Sequence, residues 1–520
     1  MKRRDVFEGL LAAPLVASEV AADQISNTEP AVSKLPMVNI MERPKGGEGR
    51  EMPNVLWICV DQCRYDTIEG LNNPLIRTPN LKRLMAEGVA FTNCAVQCPI
   101  CSPSRAAFLT GRYPHTTGLR GNGQRIRASE RLVTKILAEA GYTCGLAGKL
   151  HLSPCEGGRI EDRIDDGYDF FSWSHDLSDQ WPTANMWRVW LREQGVKWPT
   201  PPPHTPVWGV PIDPKYTQTE WCADKAIQFI RQERGYRPWL MSVNIFQPHS
   251  PFLPAEEYFK RYDPAKMPSP KYRNGELETK SPYARTDHQA AYGGRDLSFA
   301  ETDDITHRTI TAAYYAMIEQ ADHAVGRMLD ALEKTGQDQN TIVIYSSDHG
   351  EMLGDHGIYL KGPYFYDPLI RVPLIIRWPK GYKAGLKVDA LVEEVDLAPT
   401  LLEAASVPIP FRMQGRPLTK LLKGETVTHR TSIYSEFYNS NFQYSPPPWA
   451  TMVRTERYKL SVYHSLGGWG ELYDLKKDPS EFDNLWDSRS ARDVKTEMQA
   501  LMIARMSETV DPHPMQECDW

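Results

Sequence analysis

A chain of 520 residues is long enough for one large domain with a smaller one beside it. Its 60 basic and 66 acidic side chains interleave to a formal charge of −6, leaving no basic stripe or tail and so excluding nucleic acid as a partner. Nine cysteines, odd in number and scattered, exclude a disulfide framework or a zinc ribbon.

Lys2-Arg3-Arg4-Asp5-Val6-Phe7 precedes a short apolar run over 10–17 and then Val20-Ala21-Ala22, the pattern of a twin-arginine-type signal peptide at 1–22. That run is too short to span a bilayer, so the expectation is an exported, periplasmic protein with no membrane span. Residues 23–52 are polar and punctuated by Gly and Pro, and read as a linker. Residues 54–60 then run apolar and stop at Asp61-Gln62, as a strand buried on both faces would. Apolar periodicity predicts helices over 132–141 and 313–334, with Gly141 and Gly336 placed as C-caps.

A Trp- and Pro-rich insertion is expected at 156–240, which holds more than half of the 14 tryptophans. Those rings could wall a sugar or aryl group, or simply pack loops. Residues 262–304 show no sustained period and read as a long loop. A second buried strand, 340–347, ends in Asp348-His349-Gly350-Glu351, so two strands deliver acids to one edge, where open α/β sheets bind ligands. Strand alternating with helix predicts an α/β domain with a large, mostly parallel mixed sheet flanked by helices. After 410, short strand-like pieces at 431–437, 449–454 and 458–463 predict a smaller C-terminal antiparallel-sheet subdomain.

Asp61 and Asp348, with Gln62 and His349 beside them, form an oxygen-rich set suited to a hard divalent ion such as calcium, although the histidine also admits manganese or zinc. A strand-end aspartate taken alone is a turn or cap residue. Cys101-Ser102-Pro103-Ser104-Arg105 places a thiol at the start of a helix, with Pro103 in the first turn and Arg105 able to lower the thiol pKa. None of this alone names a reaction.

With Leu109-Thr110-Gly111-Arg112 following, that stretch resembles the type I sulfatase signature, and the resemblance extends over 53–486. It implies an alkaline-phosphatase-like fold, with a catalytic domain at 53–409 and the subdomain at 410–520. It implies that a formylglycine-generating maturation enzyme oxidises Cys101 to formylglycine, with Arg105 orienting the nucleophile. One divalent ion, Ca2+ before Mn2+, Mg2+ or Zn2+, is implied at Asp61, Gln62, Asp348, His349 and residue 101. Gln62 departs from the family's usual second aspartate, which lowers the charge of the site.

Gly141 to His151 resembles the second family motif, with a departure at Cys144, and implies that Lys149 and His151 contact the modified residue. His249, between two prolines beyond a further apolar run, matches the family's leaving-group acid, and Lys361 matches the lysine that grips the sulfate oxygens. His115 and His356 are expected only to orient loops. The implied activity is hydrolysis of a carbohydrate or aryl sulfate: the hydrated aldehyde attacks sulfur in line, the alcohol leaves, and the second hydroxyl then expels sulfate. Two rivals remain, a phosphonate monoester or phosphodiester hydrolase on the same scaffold and a non-catalytic binder of sulfated glycan in which Cys101 stays a thiol.

Overall fold

Apolar runs alternate with helices to build a nine-stranded sheet in the computed structural model, which describes residues 52–71, 73–202, 207–438 and 444–512. The expected signal peptide, and the expected linker up to residue 51, lie outside the described residues. The strands are β1 (Asn54–Asp61), β2 (Val89–Ala95), β3 (Thr143–Gly148), β4 (Tyr168–Trp173), β5 (Trp239–Pro248), β6 (Thr341–Ser347), β7 (Arg371–Arg377), β8 (Leu386–Val388) and β9 (Val392–Glu393). Their order is β4-β3-β5-β1-β6-β7-β2-β8, with β9 also pairing with β2. Every pairing is parallel except those of β7 with β6 and β2, so β7 alone runs against the rest. The carboxyl ends of β3, β5, β1 and β6 therefore stand side by side on one edge.

Side chains of β1 alternate between two cores. Leu56, Ile58 and Val60 face a layer that includes the helices Gln218–Ile230 and Asp304–Lys334. Val55, Trp57 and Cys59 face another that includes the helices Val133–Glu139 and Leu397–Ala404. A strand covered on both faces has no polar side, which is why its sequence reads as an unbroken apolar run.

A second sheet, β10 (Ile433–Tyr438), β11 (Trp449–Arg454), β12 (Tyr458–Tyr463) and β13 (Trp469–Asp474), is antiparallel in chain order. One face carries Val453, Leu460 and Leu472 under the helix Arg492–Glu508, which contributes Met498 and Met502. From the other face, Phe437, Ala450, Met452 and Tyr463 join a core over the main sheet. No helix among the described residues is long and apolar enough to cross a membrane.

Two regions differ from expectation. Residues 156–240 are not a loop insertion throughout: β4 pairs with β3, and the Gln218–Ile230 helix packs on β5. Trp173, Trp181, Trp187, Trp198, Trp221 and Trp239 are all buried there, so most of the rings fill cores rather than wall a site. Residues 262–304 contain the helices Pro282–Gln289 and Ala291–Gly294, too short to set up a periodicity. The following helix also begins earlier than its apolar stripe, at Asp304, where the Asp303 carboxylate caps it by accepting from Thr306 N.

Candidate active site

Four parallel strand ends supply most of the site. β1 delivers Asp61, and its register against β5 slips between Val60 and Asp61, a local irregularity of the kind that re-aims a side chain. Gln62 follows in the left-handed region at φ 67°, and its N–H donates to Asp348 Oδ1 at 3.1 Å, tying the ends of β1 and β6 together. β3 ends at Gly148, where a Cβ would stand 1.9 Å from Asn244 O, so only glycine lets β3 and β5 approach closely enough to turn Lys149 inward. Cys101 opens the helix Cys101–Thr110, every residue of which is buried.

The charges interlock. Lys149 Nζ donates to Asp61 Oδ2 at 2.6 Å. Arg105 donates through Nε to Asp348 Oδ2 at 2.8 Å, through Nη2 to Asp61 Oδ2 at 3.3 Å and through Nη1 to Lys149 O at 2.9 Å. Burial and the neighbouring Cys101 push the Asp61 carboxyl up, but Lys149, His249 and Arg105 together hold it well below the usual carboxylate range. Burial would likewise raise the Cys101 thiol, yet Lys149, Lys361 and His349, with a hydrogen bond from His151, hold it well below the ordinary value. Position 101 is thus built for negative charge.

Asp61, Cys101, Asp348 and His349 each present one donor atom, all within 4.8 Å of one another and all buried, a group that could hold a metal ion. His349 Nδ1–H donates to Gly350 O at 2.9 Å, which leaves the Nε2 lone pair facing Cys101 Sγ at 3.1 Å. Two carboxylates and an imidazole lone pair facing one buried point suit a divalent cation. Gln62 adds an oriented amide oxygen, because its Nε2 donates to Glu351 Oε2 while its Oε1 accepts from Lys361 Nζ at 2.7 Å.

Lys361 Nζ also donates to His249 Nε2 at 2.7 Å, and His249 Nδ1–H donates to Ser250 O at 2.6 Å. Desolvation and the Lys361 charge lower the His249 imidazole below its ordinary value. His151, in the left-handed region at φ 63°, stands beside Cys101, and burial and Lys149 hold its imidazole well below the ordinary value. All ten residues expected in the site, Asp61, Gln62, Cys101, Arg105, Lys149, His151, His249, Asp348, His349 and Lys361, converge here. His115 and His356 lie elsewhere: His115 binds Glu436 and Thr509 O, and His356 binds Glu276.

Three supporting residues carry no sequence-based expectation. Asn244 Nδ2 donates to Lys149 O at 2.7 Å, and Glu161 accepts from the backbone N–H of His151 at 2.9 Å. Glu351 accepts from Gln62 and from the N–H groups of Leu353 and Leu360, and burial raises its carboxyl. Partners of ligating groups typically tune metal affinity about 10- to 100-fold. Glu351→Ala should therefore release the Gln62 amide and weaken divalent-ion binding by about that factor, as read by chelator competition. Unchanged affinity would mean that Gln62 is no ligand.

A mostly parallel α/β sheet with such an anion-gathering, cation-ready carboxyl edge fits the alkaline-phosphatase-like hydrolase that the sequence resemblance implies. Residues 53–407 match the Sulfatase family, and residues 354–508 match the family described as N-sulphoglucosamine sulphohydrolase, C-terminal. The chain belongs to the sulfatase family, the sulfuric ester hydrolases. It is 27% identical over 522 residues to the N-acetylglucosamine-6-O-sulfatase of Bacteroides thetaiotaomicron, covering 90% of this chain and 88% of that one. The crystal structure of the phosphonate monoester hydrolase of Agrobacterium radiobacter matches with a TM-score of 0.76 at 26% identity, covering 88% of this chain and 96% of that one. A structure titled as a complex with its substrate D-glucosamine-2-N,6-O-disulfate matches with a TM-score of 0.71 at 25% identity, covering 90% of this chain and 100% of that one.

Proposed function

We propose that this protein hydrolyses carbohydrate or aryl sulfate monoesters after Cys101 has been converted to formylglycine by a maturation enzyme. The observation that carries the reading is the convergence on residue 101 of Lys149, Lys361, His249 and the Asp61, Asp348 and His349 donors. A glycan substrate is favoured by the likeness to a sulfatase named for N-acetylglucosamine 6-O-sulfate and to a structure holding a glucosamine disulfate. The amino-terminal pattern at 1–22 supports export to the periplasm.

Asp61, Gln62, Asp348, His349 and residue 101 would hold the divalent ion, which we read as Ca2+ because most donors are oxygens. When bound, that ion polarises a sulfuryl oxygen and favours the ionised nucleophile. The hydrated form of the modified residue supplies the attacking oxygen. Lys149 and Lys361 neutralise charge on the sulfuryl oxygens, and His249 Nε2 holds the proton for the departing alcohol oxygen. Arg105 bridges Asp61 and Asp348 and so fixes the spacing of the two carboxylates.

Gln62, in place of a second aspartate, and the likeness to a phosphonate monoester hydrolase favour a second reading in which phosphonate esters are the substrates. One experiment tests both. The Cys101 peptide from active protein should be lighter than the cysteine form by the difference between CH2SH and CHO. kcat/KM should be higher for 4-nitrophenyl sulfate than for a phenyl phosphonate ester. An unmodified thiol in fully active protein overturns the nucleophile; a preference for the phosphonate installs the second reading.

A further inference from the structure

Just beyond residue 101 lies a second group of side chains that could bind a metal, which shares His151 with the hydrolytic site and adds two residues that the scheme does not use. His151, Cys155 and His175 each present one donor atom, and the three atoms lie within 4.8 Å of one another. The imidazoles of His151 and His175 meet edge to face with ring centres 4.7 Å apart. His151 is only 6% exposed, yet its Nδ1 is a buried nitrogen without a hydrogen-bond partner. Both ring nitrogens of His175 are likewise unpartnered by hydrogen-bond geometry, although Nδ1 lies 3.5 Å from the Asp176 carboxylate. Cys155 is a free, buried thiol.

Buried imidazole nitrogens without partners are costly, and native structures rarely keep them without a reason. The cluster is also held in place. Glu161 accepts from His151 N and Leu152 N, and from Trp173 Nε1 at 2.8 Å, which fastens the segment after β3 to the end of β4. Trp181 packs against His175 with ring centres 5.2 Å apart. A rigid pair of imidazoles and a thiol is a donor set for a borderline-soft ion, unlike the oxygen-rich set around Asp61.

We propose that His151, Cys155 and His175 form a second metal site, selective for Zn2+ or a similar transition-metal ion. On binding, the Cys155 thiol loses its proton to water and the thiolate sulfur bonds the ion, so one proton is released for each ion taken up. Asp176 beside His175 fits the carboxylate that commonly orients a ligating imidazole. Because His151 also stands beside Cys101, ligation of its unpartnered Nδ1 would fix the proton on Nε2 and make His151 a donor toward residue 101. The ion would thus set the tautomer of a histidine that touches the nucleophile.

Cobalt titration of full-length protein loaded with calcium tests this independently of turnover. The Cys101→Ser background removes the thiol of the Asp61 site as a source of signal. One equivalent of Co2+ should bind with a near-ultraviolet sulfur-to-cobalt charge-transfer band, and Zn2+ should displace it. The band should vanish in Cys155→Ser, and His175→Gln should weaken binding at least about tenfold, in the range seen when a partner of a metal site is lost. A band that persists in Cys155→Ser, or no Co2+ uptake beyond the calcium-loaded site, overturns the proposal. Should Cys155→Ser fail to fold, unchanged Co2+ affinity in His175→Gln overturns it equally.

Discussion

Asp61→Asn should fold, lose nearly all bound divalent ion and hydrolyse sulfate esters at least about 10³-fold more slowly. Asparagine keeps the size of the side chain and removes one of the two carboxylates in the donor group of Asp61, Cys101, Asp348 and His349. Gln62 contributes an amide and cannot make up that charge, so this site has less reserve than one built on three aspartates. Lys149 Nζ, 2.6 Å from Asp61 Oδ2, would lose its carboxylate partner, and an uncompensated buried ammonium opposes a cation next to it. Arg105→Lys supplies the contrast, because one ammonium cannot reach Asp61, Asp348 and the Lys149 carbonyl together as the planar fork does. Metal content measured on both variants beside kcat/KM decides the matter: full activity in metal-stripped Asp61→Asn would remove the cation from the chemistry.

Residues that announce themselves in the sequence are those that interrupt a pattern. Asp61 breaks an apolar run directly and Asp348 follows one after two serines, and such a change marks a strand end meeting polar chemistry. Cys101, Lys149 and Lys361 are legible through a family resemblance, since spacing alone does not bring the start of a helix, the residue after β3 and a loop residue well beyond β6 to one point. Glu351 and Asn244 stay hidden because their work depends on partners far along the chain: Glu351 serves Gln62 across 289 positions and Asn244 serves Lys149 across 95, while Glu161, whose partners lie within 12 positions, breaks no pattern that would mark it. The only trace of Asn244 is an amide inside the fully buried strand β5. The fold was legible where strands are buried on both faces. At 156–240 the sequence left two readings open, because tryptophans that could wall a ligand are equally good core residues when a helix and an edge strand cover them.

His249→Ala should slow a sugar sulfate about 10²- to 10⁴-fold more than it slows 4-nitrophenyl sulfate. Nδ1–H of His249 is committed to Ser250 O at 2.6 Å, so only Nε2 can pass a proton to the substrate. In the substrate-free protein Nε2 accepts from Lys361, which means the acid form is the imidazolium, with a second proton at Nε2. Desolvation and the Lys361 charge disfavour that form, so its population in the free enzyme is lost as pH rises through a value below the ordinary one for histidine. For a basic leaving group, kcat/KM should therefore fall along that same limb; a nitrophenolate leaves without help and should show a shallower fall. Replacing Lys361 by methionine removes a nearby positive charge, makes protonation of Nε2 easier and should move the limb to higher pH, while weakening both substrates alike through loss of the sulfuryl contact. A role for His249 in merely binding sulfate predicts equal losses on the two substrates. If the losses are equal, the proton for the alcohol comes from another group, and Lys361, 2.7 Å away, becomes the first to test.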